Sequence, residues 1–140
     1  MNDDDDTAAL LRLEVGRLRS RESRRRFDPV VHVGHLGGAH RSSRVPSADP
    51  LLGHLLDPGT RAEVVSALLE ELGPAGSSVS AWLTRVGDPV VQDEDLAWLS
   101  AATHALGTFG FDLEGFWTFT RTGWLDVRTG ESRTWKRLRL

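Results

Sequence analysis

The chain predicts a small α/β domain, and three observations carry that prediction. Thr84-Arg85-Val86-Gly87 and Thr120-Arg121-Thr122-Gly123 each close an apolar run that contains a tryptophan, Trp82 and Trp117. Between them, Leu96, Leu99, Ala102 and Leu106 recur at helical spacing. Strand, helix, strand with a crossover of that length fits a right-handed βαβ unit with parallel strands. The chain has 140 residues, 39% of them hydrophobic, enough for one modest core. The expected architecture is a single α/β domain over 29–140: a parallel βαβ core, flanking helices, a short mixed sheet and a C-terminal β-hairpin.

Residues 1–28 read as an accessory charged helix or tail. Asp3 to Asp6 at a helix start and arginines at its end suit the helix macrodipole. Leu11, Val15 and Leu18 then form one narrow stripe, although Leu11, Leu13 and Val15 also alternate as in a strand. Residues 30–33 suit a short strand. The stretch 34–48 is rich in Gly, Ser and His and reads as an irregular loop. It is long for a structureless loop inside a compact domain.

Asp49 followed by Pro50 marks an N-cap and first helical residue, predicting a short helix over 50–56. Asp57-Pro58-Gly59 breaks it. Thr60 and Glu63 then have capping-box spacing. Val65, Leu68, Leu69 and Leu72 line one face, and Gly73-Pro74 stops the helix. Residues 79–84 are a short apolar run bounded by Ser and Gly, as expected of a buried strand. Residues 86–92 form a loop, Asp93 caps the next helix, and Gly107 suits its end. The second strand of the pair covers 116–121. Residues 125–127 and 133–138 predict a hairpin around Arg128-Thr129-Gly130-Glu131. Nine of the ten aromatic residues follow Ala81, so the core is expected in the C-terminal half.

Composition excludes several chemistries. Without cysteine there is no disulfide, thiolate metal site or cysteine nucleophile. The acidic N-terminus is unlike a secretory signal, and no apolar run is long enough to span a bilayer. A cytoplasmic location is the expectation. Net charge is −3, with a local run of seven arginines between Arg12 and Arg26. The acidic balance argues against bulk nucleic-acid coating, while basic patches leave local recognition open. Gly-x-Ser-x-Gly, P-loop and Gly-x-Gly-x-x-Gly patterns are absent.

The paired strand ends are the leading candidate site. In open α/β sheets ligands bind beyond the carboxyl ends of the strands. Arg85 and Arg121 at one rim can grip a phosphate or carboxylate, with Thr84 and Thr120 adding hydroxyls. The carboxylates of Asp88, Asp93, Glu94 and Asp95 are the competing partners for these guanidinium groups. Trp124 follows a glycine turn, is expected to be half exposed, and is the first candidate for an interface anchor. Arg133, Trp135, Arg137 and Arg139 alternate on one face of the hairpin. Arginine interleaved with tryptophan suits single-stranded nucleic acid, or equally an edge strand protected by charge.

Two metal readings arise. Asp88, Asp93 and Asp95, with Asp112 or Glu114, could hold Mg²⁺. His32, His35 and His40 lie close along the chain, with Asp28 and Asp49 near, but match no strong zinc spacing. Gly87-Asp88-Pro89, then Asp95-Leu96 and an alanine-rich helix, resembles the stretch that follows the metal histidines in the JAB/RadC-type metalloprotease fold. The resemblance covers about twenty-five residues and places Asp95 at that family's metal aspartate. The two histidine positions are Trp82 and Thr84 here, so that zinc site cannot form and the activity is not implied.

The functional expectation is a non-catalytic binding module for an anionic partner: a phosphate-bearing ligand, nucleic acid or an acidic protein segment. No cofactor is expected. A small metal-dependent hydrolase or nuclease, or a catalytically degenerate relative of one, is the alternative. A self-associating structural subunit is the third reading.

Overall fold

A computed structural model describes residues 3–45, 57–74 and 76–136. The expected helix over 50–56, its Asp49 cap, His54 and Arg137 lie outside the described residues. The elements run α1 (Asp3–Arg21), β1 (Val30–Gly34), β2 (His40–Arg44), α2 (Pro58–Leu72), β3 (Ser78–Thr84), α3 (Asp93–Phe109), β4 (Asp112–Phe119), β5 (Gly123–Asp126) and β6 (Ser132–Thr134). The strands form one mixed sheet of order β2-β1-β3-β4-β5-β6. β3 and β4 are parallel and joined through α3; every other neighbouring pair is antiparallel.

Side chains alternate across a strand, and that alternation sorts them into two cores. Val31, Val33, Val79, Ala81, Leu83, Phe116 and Leu125 face α2 and α3. Trp82, Trp117, Phe119 and Trp124 face the other way, onto Leu11, Val15 and Leu18 of α1. The result is three layers, helix–sheet–helix. The segment read as an accessory helix or tail therefore carries one wall of the second core. Its narrow stripe is sufficient because four aromatic side chains supply most of the apolar surface opposite.

Local chemistry explains the boundaries. Asp57 caps α2 by accepting from the backbone N–H of Thr60 at 2.7 Å, with Pro58 in the first turn. Pro58 thus opens this helix, and Asp57 rather than Thr60 is its cap. α3 runs past Gly107 to end on Gly110, whose φ of 78° is the left-handed conformation that glycine adopts freely. One expectation is corrected. Residues 40–44 lie within the supposed loop, yet they form β2, paired residue by residue with β1. His40 to Arg44 carry no apolar alternation because β2 is an exposed edge, where the ladder alone fixes the strand. Among the described residues, no helix is long and apolar enough to cross a membrane.

Candidate anion site at the strand rim

Strand parity decides where each predicted side chain goes. Arg85 continues the series Val79, Ala81, Leu83 and so enters the α3 side of the sheet. It is 4% exposed, against a fully buried Asp95. Its Nε donates to Asp95 Oδ1 and its Nη2 to Asp95 Oδ2, each at 2.8 Å, a bidentate pair. Nη1 donates to the carbonyls of Val86 and Asp88 at 3.0 and 3.1 Å, and Nη2 to that of Val90 at 2.9 Å. All five guanidinium hydrogens are used. Asp95 is equally occupied: Thr118 Oγ1 donates to Oδ1 at 2.8 Å and the Gln92 backbone N–H to Oδ2 at 2.9 Å. Arg85 thereby shapes the loop over 86–92 and ties the start of α3 to β3 and β4.

The two arginines therefore do not share a grip. Arg121 has the parity of Trp117 and Phe119 and belongs to the α1 side. Its Nε is buried without a hydrogen-bond partner. It lines a cleft of about 280 Å³ with Arg25, Phe27, Gly87, Asp88 and Thr122. The threonines divide likewise. Thr84 donates to the Val30 carbonyl at 3.3 Å and lies 3.3 Å from His32 Nε2. Thr120 is spent on its own turn, with Oγ1 3.1 Å from Thr122 Oγ1 and accepting from the Thr122 backbone N–H at 3.2 Å.

Trp124 is 6% exposed, beneath α1. The expected half-exposed anchor is instead a core residue, because a helix more than 100 residues earlier in the chain covers it. Trp135 packs on the same cluster. Arg133 and Arg12 sit over its ring at 5.1 and 5.9 Å from the centroid.

Sequence reasoning passed over the connection from α1 to β1, residues 22–29. In the sequence Arg24, Arg25 and Arg26 stand out only as part of a basic run. This strap crosses the rim on the α1 side, and Arg25 joins Arg121 in the cleft. Phe27 is partly buried against the second core. The triple arginine followed by an aromatic was the available signal.

His32 is not a loop ligand. It is a buried β1 residue stacked on Trp82 at 5.4 Å between centroids and 6° between planes. The Thr84 hydroxyl is committed to Val30, so the imidazole donates through Nε2, leaving Nδ1 buried and unpartnered. Burial first, then the charges of His40 and Arg21, lower its pKa from 6.5 to about 3. The His40 ring stands 5.4 Å from it. No group of three histidines or carboxylates that could hold a metal occurs among the described residues. At the positions that the JAB/RadC-type resemblance assigns to zinc, Trp82 is core, Thr84 bonds the backbone, and Asp95 is saturated by Arg85, Thr118 and Gln92.

Comparison with protein-family models, curated proteins and solved structures finds no match.

Proposed function

We propose that this protein is a non-catalytic binding module for an anionic partner, and that Arg121 and Arg25 carry the contact. The supporting observation is the contrast between two arginines at one rim. Arg85 has every donor satisfied within the fold. Arg121 lines an open cleft beside a second arginine, with one buried donor unmatched. Besides Nε the guanidinium has the N–H donors of its two terminal nitrogens with which to meet an anion in the cleft. Thr122 lies beside them in the cleft, and Asp88 is the one carboxylate on its wall.

The test is titration with inorganic pyrophosphate, followed by thermal shift and calorimetry. Binding should weaken with added salt and be lost in Arg121→Ala and Arg25→Ala, both of which should keep the native melting temperature. Binding unchanged by either substitution removes the site.

A further inference from the structure

Three clefts open side by side on the α1 face of the rim, and Phe27 lines all of them. The strap alternates: Arg25 lines the cleft of Arg121, whereas Arg24 and Arg26 line the next, with Arg44 of β2 across from them. That second cleft measures about 390 Å³, and its lining is more polar than apolar. In the third, of about 300 Å³, Arg21 and the His40 ring are the basic groups. Six arginines thus line the three clefts that share Phe27, against the carboxylates of Glu22, Asp28 and Asp88. One of those arginines, Arg44, is already paired with Asp28 at 3.6 Å, where both side chains are largely exposed. The chain as a whole carries −3, so this rim is a concentrated positive region on an acidic protein.

A single small anion needs one such cleft. Adjoining arginine-lined clefts that share one aromatic side chain suit a chain of regularly spaced phosphates, whose bases offer flat faces to an aromatic platform. A duplex presents its bases already stacked and offers none to Phe27. An acidic peptide supplies charge but no π-face. We infer that the anionic partner is single-stranded nucleic acid, laid across the strap with Arg24, Arg25, Arg26, Arg44 and Arg121 on its phosphates and Phe27 against a base. This rests on the anion-binding reading above and narrows it.

The experiment measures fluorescence anisotropy of a labelled short oligothymidylate. Unlabelled inorganic polyphosphate of matched charge, the corresponding duplex and a poly-glutamate peptide act as competitors. The expected result is binding whose logarithm falls with log salt at a slope of about −3 to −4, the value for about five phosphate contacts on a single strand. Phe27→Leu should weaken the oligonucleotide about tenfold while leaving polyphosphate unchanged, since only the former stacks. Arg24→Ala/Arg26→Ala, at exposed positions, should weaken both and serves as the control should Phe27→Leu unfold. Oligonucleotide and polyphosphate bound alike, with no effect of Phe27→Leu, overturns the nucleic-acid inference and leaves the anion site standing. Preference for the peptide or the duplex overturns it too. Binding of none of the four polymers overturns it, and pyrophosphate unbound as well removes both readings.

Discussion

Acid should unfold this protein through one histidine. His32 sits in β1 with its ring flat on Trp82, and its Nδ1 is sealed from solvent and from any donor. In the unfolded chain the imidazole takes up a proton near pH 6.5; in the folded protein it resists until about 3. Between those values the unfolded state holds the extra proton. Stability from this group is therefore complete above pH 6.5 and falls as the pH drops toward 3. The full loss corresponds to about 5 kcal/mol, comparable to the whole stability of many domains. Urea unfolding followed by tryptophan fluorescence at pH 7, 5.5 and 4, on the native chain and on His32→Phe, measures it. Phenylalanine keeps the stack on Trp82 but cannot titrate. The difference in unfolding free energy should change by about 1.4 kcal/mol per pH unit over the middle of the range. Asp57 also has a lowered pKa, through its bond from the Thr60 backbone, and so loses stabilisation in acid. It does so in both proteins and cancels from the difference. A pH-independent difference, or a His32 resonance titrating near 6.5 in the folded protein, would refute the argument.

Two further outcomes follow from the packing. Arg85→Met should cost about 3–5 kcal/mol, because it leaves Asp95 in the interior without its guanidinium partner and strips donors from three loop carbonyls. Chemical denaturation measures this, and the double variant Arg85→Met/Asp95→Leu should recover part of the loss. Leu18→Ala in α1 should cost about 2–5 kcal/mol, the same range as Leu68→Ala in the other core, since both side chains are almost wholly enclosed. A value below about 1 kcal/mol for Leu18→Ala would return α1 to the status of an appendage.

The elements with strong periodicity were legible in the sequence, and the long-range decisions were not. Val65, Leu68 and Leu69 announce α2, and the tryptophan-bearing runs announce β3 and β4. β2 is silent because an edge strand whose side chains are mostly exposed has no apolar alternation to display. The burial of Trp124 is not legible, because its cover comes from α1, whose stripe gives no hint of its partner. The candidate site turned on parity. Arg85 and Arg121 end neighbouring parallel strands, which brings their backbones together. However, Arg85 follows Leu83 by two residues while Arg121 follows Phe119 by two, and those two residues face opposite cores. Counting the alternation through the strand ends separates the guanidinium groups. The tight pairing of Arg85 with Asp95, ten residues on, depends further on the loop between them closing over the charge.

The sheet is open, and its described flank at β2 is polar from end to end, carrying Arg41 and Arg44 on a strand of five residues. Lateral joining of two copies through that flank would string the cations of both along one seam, at a distance where screening is weak in dilute buffer. Concentrated salt lifts that barrier. The same ionic conditions that loosen a polyanion from the rim should thus be the ones under which the molecules begin to zip edge to edge.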